Sequence, residues 1–362
     1  MDKVPNRRFD SFIYSLAEEK NEFFVPRAVY KAKSAIHSYL LSDDSIHRFL
    51  TEVEDLYGTD LEKIQEKNRG LKIGVIMAGN IPGVGFSDLF CTLALGFTAI
   101  VKLSSKDSYF MWYLIQNLHK AFPEFSVTVT EDIVKEVKKG YFQGVVFAGS
   151  DQSKAQIEKE LNGIPLLARG TKFSFGVVLP QSKLLSPEPP KGEYARLVQD
   201  CAMYFGLGCR SITYLFVPKG FNWSKFLKAL SREFASSWTC EGFTNAVHRR
   251  VAIAKISGTK IIRYSDSINE DIENAKGEFI IDMDNILLHH TRDAFPPLGV
   301  INFQIYDNVQ NGEIEEVREF EERYGDKIQE KYTNFGKAQY PLLTDWQDGI
   351  STVKFLRECG LK

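Results

Sequence analysis

A regular alternation of short apolar segments with amphipathic segments, beginning at Leu71, constrains the fold of this chain more than any other feature. The predicted strands are Lys72–Ala78, Ala99–Leu103, Ser126–Thr130, Gly144–Ala148 and Phe173–Leu179. The predicted helices between them are Ser87–Leu95, Ser108–Ala121, Glu131–Lys138 and Gln152–Leu161. This alternation is typical of βαβ units on a parallel sheet, an α/β architecture that often binds nucleotides. The glycines of GNIPGVG at 79–85 are too irregularly spaced for the GxGxxG fingerprint.

A proline-rich connection separates this region from a second alternating one. The segment LPQSKLLSPEPPK at 179–191 contains four prolines, which mark a connection rather than a helix or strand. The elements predicted beyond it are helix Tyr194–Phe205, strand Ser211–Val217, helix Trp223–Phe234, helix Thr244–Val251, strand Phe279–Met283 and strand Val300–Tyr306. We therefore predict a first domain at 1–183, a second at 184–330 and a C-terminal tail at 331–362 that packs back on the body.

The first 70 residues have the apolar spacing of helices. The earliest of these predicted helices rests on Phe12 and Leu16, and a later one on Ile46, Phe49, Leu50, Val53 and Leu56. Asp43 and Asp44 are the N-cap candidates for that later helix.

Charge and composition exclude several classes of partner. The formal net charge is −2 and no long run of one sign occurs, so we expect no nucleic-acid partner. The apolar stretch 84–101 contains Asp88 and several glycines and threonines, so it predicts a buried helix and strand, and no membrane insertion. Five cysteines without a CxxC pair do not form a disulfide framework, and the polar N-terminus lacks a signal-peptide core. Both features predict a cytoplasmic protein.

Cys209 is the strongest candidate for a nucleophile. It follows Gly206-Leu207-Gly208 in the segment FGLGCRSITYLFVP, between a predicted helix and a predicted strand. Neighbouring glycines let backbone approach closely and leave the sulfur accessible, and Arg210 could favour the thiolate. The alternative is a small buried residue at the start of a strand.

The other residues with reactive side chains carry weaker signals. Cys91, Cys201, Cys240 and Cys359 lie in predicted helices or in the tail, where packing explains them. His289 and His290 are adjacent, so in a strand they would point to opposite faces and could not share one metal ion. Because the chain also lacks HExxH and paired CxxC motifs, we expect no metal site.

Several segments, in order, resemble the aldehyde dehydrogenase superfamily. GVIMAGNIPGVG at 74–85 resembles the "PWNxP" region, and GFTAIVKLSSKDS at 96–108 resembles "GNxVVxKPSExTP". The first match implies that the amide of Asn80, with a backbone N–H at Cys209, stabilises an oxyanion. The second implies that Lys102 donates a hydrogen bond to the adenosine ribose of a dinucleotide.

Two further segments extend the resemblance. GVVFAGSDQSKAQI at 144–157 is similar to "xxFTGSTxxGxxI", which implies that Gly149 and Ser150 begin a helix facing the cofactor pyrophosphate. AFPPLGVINFQIYD at 294–307 is similar to "ExFGPVxxVxxF". It places Asp293 where the family has a glutamate on the nicotinamide ribose, and Phe295 where a ring abuts the nicotinamide. NFGKAQYP at 334–341 resembles the late "FGGxKxSG" loop.

Two departures from the family pattern define a branch. Ala168 in LARGTK stands where hydrolytic members have the glutamate of "ELGGK", so a thioester at Cys209 lacks the base that activates water. Ser105, beside Lys106, stands where NAD-preferring members have the glutamate of "KPSE", which favours NADPH. Both departures fit one branch of the superfamily, the LuxC-type acyl-CoA reductases, and the segment FGLGCRSITYLFVP resembles sequences of that branch. These proteins are related to the fatty-acid reductase of bacterial bioluminescence.

The resemblance implies a Rossmann-type NADP(H)-binding domain at 1–183, including the helical N-terminal region, and an α/β catalytic domain at 184–330. The implied reaction is NADPH-dependent reduction of an acyl-CoA, or another acyl thioester, to an aldehyde through a thioester on Cys209. Oxidation of aldehydes to acids is one alternative, and a non-catalytic relative that binds a nucleotide or an acyl carrier is another. A homo-oligomer and a complex with an acyl-activating enzyme are both compatible with this reading. The 27 phenylalanines suit either an apolar acyl pocket or scattered core packing.

Overall fold

The computed structural model describes residues 24–161, 163–234, 241–296 and 298–361. The helix predicted from Phe12 and Leu16 lies outside these residues. The described chain divides into two compact units, one formed by the residues up to Thr171 together with Tyr340–Lys362, the other by Lys172–Gln339. None of the described helices is long and apolar enough to cross a membrane.

The first unit begins with helices. They are α1 (Pro26–Ala35), extended by a π-helical turn at Ile36–Leu40, then α2 (Asp43–Tyr57) and α3 (Leu61–Asn68). The prediction of Asp43 or Asp44 as the N-cap of α2 is wrong. The side chain of Ser42 accepts the hydrogen bond from the Ser45 N–H, and the two aspartates occupy the first turn, where their charges suit the helix dipole.

A five-stranded parallel sheet forms the centre of the first unit. Its strands and helices are β1 (Lys72–Ile76), α4 (Phe86–Ala94), β2 (Thr98–Lys102), α5 (Ser108–Ala121), β3 (Val127–Val129), α6 (Ile133–Lys139), β4 (Gly144–Ala148), α7 (Asp151–Glu160) and β5 (Leu166–Arg169). The strand order is β3-β2-β1-β4-β5, with every pair parallel. This confirms the Rossmann-type α/β prediction. The order reverses between β1 and β4, and open α/β sheets bind ligands at the carboxyl ends of the strands beside such a reversal.

The second unit is a seven-stranded mixed sheet covered by helices. Its elements are β6 (Phe173–Val177), α8 (Glu193–Ala202), β7 (Ile212–Pro218), α9 (Trp223–Phe234), α10 (Glu241–Ser257), β8 (Lys260–Arg263), α11 (Ile268–Glu273), β9 (Phe279–Asp282), β10 (Leu287–His290), β11 (Val300–Tyr306), α12 (Glu315–Tyr324) and β12 (Ile328–Tyr332). The strand order is β12-β6-β7-β11-β10-β9-β8, and β9 runs antiparallel to β10.

The division between the units lies at 171/172 rather than at residue 183. Strand β6, which the sequence places with the first sheet, pairs with β7 and β12 in the second. The proline-rich connection at 179–191 therefore lies inside the second unit. The boundary predicted at residue 330 likewise falls within β12, and the segment that returns to the first unit begins at Tyr340.

The returning segment ends in α13 (Thr352–Gly360), and a buried ion pair anchors it. The guanidinium of Arg169, at the end of β5, lies 3.1 Å from the carboxylate of Asp88 in α4, and both residues are buried. Arg169 also donates to the Ile350 carbonyl and the Thr352 hydroxyl, and that hydroxyl donates to Asp88 at 2.8 Å. The network therefore joins the sheet, helix α4 and the end of the chain.

We expect Arg169→Met to lower the free energy of unfolding by about 3–5 kcal/mol, because it leaves the buried carboxylate of Asp88 without its countercharge. Urea denaturation measures this loss. Arg48→Met is the matched control, since Arg48 forms an exposed ion pair with Asp44, and it should cost less than about 1 kcal/mol. Equal losses for the two variants would contradict this account of the network.

Candidate active site

Five of the predicted site residues follow adjacent parallel strands of the first sheet. Asn80 lies after β1, Lys102 ends β2 and Ser105 lies in the turn after it. Gly149 and Ser150 follow β4, which pairs with β1 on its other side. The carboxyl ends of parallel strands meet at one edge, so the fold brings these five residues to the same edge, at the reversal of strand order.

The glycine-containing loop after β1 is held from the next turn along the sheet. The N–H of Gly83, which has a φ of +75°, donates to the carboxylate of Asp107 at 2.7 Å. A Cβ on Gly79 would meet the Ser104 hydroxyl at 2.4 Å, so only glycine allows the two turns to approach this closely. Asn80 is exposed at the tip of this loop.

Gly149 and Ser150 lead into α7 as the sequence predicts. The side chain of Ser150 is the N-cap and accepts from the Ser153 N–H at 3.2 Å. Ser105 and Lys106 are exposed and Lys102 is half-buried. This edge therefore presents two ammonium groups and a helix N-terminus, a set of donors that suits the phosphates and ribose of an anionic dinucleotide.

Cys209 lies in the second unit, in a turn three residues before β7, and a strained segment leads into it. Tyr204 and Phe205 have φ values of +55° and +57°, and Gly206 follows with +73°. Consecutive left-handed aromatic residues are uncommon, and each costs about 1–3 kcal/mol. The helix predicted over Tyr194–Phe205 therefore ends at Ala202, two residues before the left-handed turn begins at Tyr204.

Contacts from neighbouring strands hold the Cys209 turn. The Ser174 hydroxyl, in β6, donates to the Cys209 carbonyl at 2.9 Å. The guanidinium of Arg210 is mostly buried and lies 3.9 Å from the Glu330 carboxylate in β12. The positive charge of Arg210 therefore faces a carboxylate, and this ion pair binds the turn to β12.

Accessibility separates Cys209 from the other described cysteines. Cys91, Cys201 and Cys359 are buried, whereas Cys209 is partly exposed. Burial raises the pKa of the Cys91 and Cys201 thiols well above their ordinary value, which disfavours their thiolates. Cys240 lies outside the described residues. Of the four described cysteines, Cys209 is the one that a solute can reach.

The carboxylate of Asp200, in α8, fixes the loop at 336–338 against that helix. Helix α8 shortly precedes the Cys209 turn in the chain. Asp200 is fully buried and accepts from the N–H groups of Gly336 and Ala338. The side-chain amide of Gln339 donates to the Asp200 carbonyl and, at 3.0 Å, to the hydroxyl of Ser211. Burial raises the pKa of Asp200 to about 6, and the backbone donors oppose this rise.

The remaining predicted residues of the second unit lie before β11. Asp293 is exposed, and its carbonyl accepts from the buried Asn302 side chain. The half-exposed ring of Phe295 packs edge-on against Phe173 at 4.9 Å. Phe173 adjoins Ser174, the donor to the Cys209 carbonyl, so Cys209 and Phe295 both neighbour the first residues of β6.

Ala168, in β5, packs with its methyl group against an apolar cluster that contains Phe147 and Val145. No acid–base group is present on that side chain. Among the described residues, no group of three or more His, Cys, Asp or Glu side chains is placed to hold a metal ion.

Comparison with known proteins identifies the fold. No protein-family model matches the sequence, and no curated protein matches it significantly. Aldehyde dehydrogenase 21 from Physcomitrella patens is a structural neighbour with a TM-score of 0.57 and 15% identity, over 87% of this chain and 67% of that one. A protein assigned as methylmalonate-semialdehyde dehydrogenase from Sinorhizobium meliloti gives 0.50 and 16%, over 93% and 74%. The chain has an aldehyde dehydrogenase-like fold.

Asp200 predicts a pH dependence of stability. Its folded pKa of about 6 lies above its ordinary value of 3.8, so the stability that its protonation confers is full below that ordinary value and is lost as pH rises through the folded pKa. The free energy of unfolding, relative to that of Asp200→Asn, should therefore fall by about 2–3 kcal/mol between about pH 4 and pH 7.

Urea denaturation of both proteins across this range checks the sign. Asp60→Asn is the control. Lys63 lowers the pKa of the exposed Asp60, so the free energy of unfolding of the wild-type protein relative to Asp60→Asn should rise with pH. A wild-type protein whose stability rises with pH relative to Asp200→Asn would contradict the assignment.

Proposed function

We propose that the protein is an NADPH-dependent reductase of acyl thioesters that forms the aldehyde through a thioester on Cys209. The observation that carries this proposal is the setting of Cys209, the one accessible thiol among the described cysteines, at the end of a strained backbone segment. Strain of this kind concentrates at functional sites. Ala168 supports this direction of the chemistry, because the resemblance aligns it with the family's hydrolytic glutamate and it offers no base for hydrolysis.

The structural neighbours support the broader class of reaction. The Physcomitrella neighbour was solved with succinate as its reaction product, and the Sinorhizobium neighbour with NAD. We infer from these that the present chain uses a nicotinamide dinucleotide in a redox reaction that interconverts an aldehyde and a carboxylic-acid derivative. Lys102, Gly149 and Ser150 would hold the dinucleotide, with Asp293 and Phe295 at its nicotinamide end.

The proposed reaction begins at the thiolate of Cys209. It attacks the carbonyl carbon of the acyl thioester and forms a carbon–sulfur bond, while the carbonyl electron pair moves onto oxygen. The Asn80 amide and a backbone N–H donate to this oxyanion. Its collapse breaks the original carbon–sulfur bond, and CoA leaves as a thiolate. When bound, the reduced nicotinamide would supply a hydride to the carbonyl carbon of the enzyme thioester. The carbon–sulfur bond to Cys209 then breaks, which releases the aldehyde and regenerates the Cys209 thiolate.

Oxidation of an aldehyde to an acid is the main alternative. Its last step needs a general base that takes a proton from water, which typically accelerates such a step by about 10² to 10⁴. Ala168 cannot provide it. CoA needs no such base, since its thiolate is a competent nucleophile near neutral pH. A non-catalytic nucleotide- or acyl-carrier-binding protein is the second alternative, and it requires no reactive thiol.

The reverse reaction distinguishes these alternatives. With a long-chain aldehyde and NADP⁺ but no CoA, we expect about one equivalent of NADPH and an acyl group held on Cys209, because the thioester cannot be hydrolysed. Adding CoA should give multiple turnovers and acyl-CoA. Absorbance at the nicotinamide band and mass spectrometry of the protein measure both products.

Two variants control this experiment. Cys209→Ala should abolish the burst, and Cys240→Ser should retain it. Sustained formation of free carboxylic acid without CoA would reject the reductase in favour of aldehyde oxidation. A wild-type protein that shows neither burst nor turnover would favour the non-catalytic alternative.

Cofactor choice follows from the exposed Ser105 and Lys106 after β2. We expect NADPH to bind more tightly than NADH, and Ser105→Glu to weaken NADPH binding by about 1–3 kcal/mol, because the new carboxylate repels the 2′-phosphate. Ser126→Glu is the control, since Ser126 is an exposed serine that precedes β3, at the opposite edge of the same sheet. Fluorescence titration giving equal affinities for the two cofactors would contradict the assignment.

A further inference from the structure

Three side-chain donors hold consecutive carbonyls of the segment 291–293, at the start of the connection from β10 to β11. Tyr214, in β7, donates its hydroxyl hydrogen to the first carbonyl at 2.5 Å. Tyr324, in α12, donates to the second at 3.4 Å, and the side-chain amide of Asn302, in β11, donates to the third at 2.6 Å. Connecting segments are usually more mobile than the elements they join. Donors from three separate elements therefore restrain this one unusually closely.

The restraint determines which side chains of the segment face solvent. Ala294 is fully buried and packs in the same apolar cluster as Tyr214. Its neighbours Asp293 and Phe295 are exposed. With the carbonyls bonded and the Ala294 methyl group buried, the carboxylate and the ring extend from a backbone that is already fixed. Binding groups held in this way lose little freedom when a ligand arrives.

Asn302 is a costly residue for its position in the strand. It is fully buried in β11, between Ile301 and Phe303, and its Oδ1 has no hydrogen-bond partner among the described residues. A buried polar atom without a partner costs free energy that an apolar side chain of similar size would not. The hydrogen bond from this amide to the Asp293 carbonyl is what the fold gains in exchange, which points to the position of Asp293 as its role.

Tyr214 connects the restrained segment to the nucleophile. Strand β7 begins three residues after Cys209, so one strand carries both the Cys209 turn and the donor to Thr291. The same hydroxyl lies 3.2 Å from the side-chain oxygen of Gln304, but it has one hydrogen to donate and the contact with Thr291 is the shorter. Burial raises the pKa of Tyr214, so its hydroxyl stays protonated and remains a donor at neutral pH.

We propose that the three donors, Tyr214, Tyr324 and Asn302, are positioning residues that preset Asp293 and Phe295 for the nicotinamide half of the dinucleotide. The inference rests on the proposed function and adds residues that act through Asp293 and Phe295. Apparent affinity falls in proportion to the fraction of molecules in the binding-competent conformation. Loss of one donor should therefore weaken NADPH binding by about two- to tenfold, the factor that one hydrogen bond contributes.

The test compares two ligands and two matched tyrosines. Isothermal titration calorimetry measures the affinities of NADPH and of 2′,5′-ADP, which lacks the nicotinamide half, for the wild-type protein, Tyr214→Phe and Tyr306→Phe. Tyr306 is the matched control, because its buried hydroxyl donates to the Val178 carbonyl at 2.5 Å in the same apolar cluster, outside the segment 291–293. We expect Tyr214→Phe to weaken NADPH binding by about two- to tenfold and to leave 2′,5′-ADP binding unchanged. Tyr306→Phe should leave both unchanged.

The outcomes distinguish this inference from the proposed function. Equal NADPH affinities for the wild-type protein and Tyr214→Phe would overturn the positioning role and leave the proposed function standing. Equal weakening of both ligands in Tyr214→Phe would also overturn it, because it would indicate a general loss of structure. A wild-type protein that does not bind NADPH would overturn the proposed function, and this inference with it.

Asn302→Leu covers the case in which Tyr214→Phe does not fold. It removes the donor to the Asp293 carbonyl together with the unpaired buried oxygen, so the two effects on stability oppose each other. Its thermal unfolding midpoint should stay close to that of the wild-type protein, while NADPH binding weakens by about two- to tenfold and 2′,5′-ADP binding does not. Lower stability with unchanged NADPH affinity would indicate a purely structural role and overturn the assignment.

Discussion

The ion pair between Arg169 and Asp88 is the interaction on which the first unit depends. Arg169 ends β5 at the edge of the parallel sheet, and Asp88 belongs to the helix that follows β1. Removing two charges from water is costly unless every donor and acceptor is satisfied, and here Thr352 and the carbonyls of 347 and 350 complete the set. The sheet whose edge carries Asn80, Lys102 and Gly149 is therefore stabilised by a network that is completed by residues 347–352, far along the chain.

In the second unit, the buried carboxylate of Asp200 joins segments that are distant in sequence, as the ion pair does in the first. Asp200 ties the 336–338 loop to α8, and Gln339 continues the connection to Ser211, two residues beyond Cys209. Ser174 holds the Cys209 carbonyl from another strand. These hydrogen bonds fix both ends of a turn whose backbone is strained at Tyr204 and Phe205, and such strain persists only where surrounding contacts over-determine it.

The sequence pattern predicted most of the fold, because the central strands are continuous apolar runs and the helices bury one apolar face. Gly144–Ala148, Ser108–Ala121 and Val300–Tyr306 were predicted to the residue. The strands β5, β8, β10 and β12 were missed. Strands β5, β8 and β12 are short and partly exposed, and their sequences LLAR, KIIR and IQEKY carry little alternation. Strand β10 has only the four residues LLHH. The assignment of β6 to the first sheet was wrong, because strand pairing depends on contacts that a local pattern does not contain.

Cys209 was a candidate from its flanking glycines, and its role stays a prediction. The residues that hold the two candidate loops carried little or no signal in the sequence. Asp107 precedes a helix and reads as an N-cap, yet its side chain caps nothing in that helix and instead binds the Gly83 N–H. Asp200 lies within a helix and has no local signal at all, because its partners at 336 and 338 are adjacent only in the folded chain.

The first unit is also discontinuous: Thr352 follows Arg169 by 183 residues. At about 5–20 residues per second of synthesis, the ribosome takes roughly 10 to 40 s to deliver the last partners of that guanidinium. The second unit, which lies wholly between them, has that interval to fold before the sheet of the first is closed.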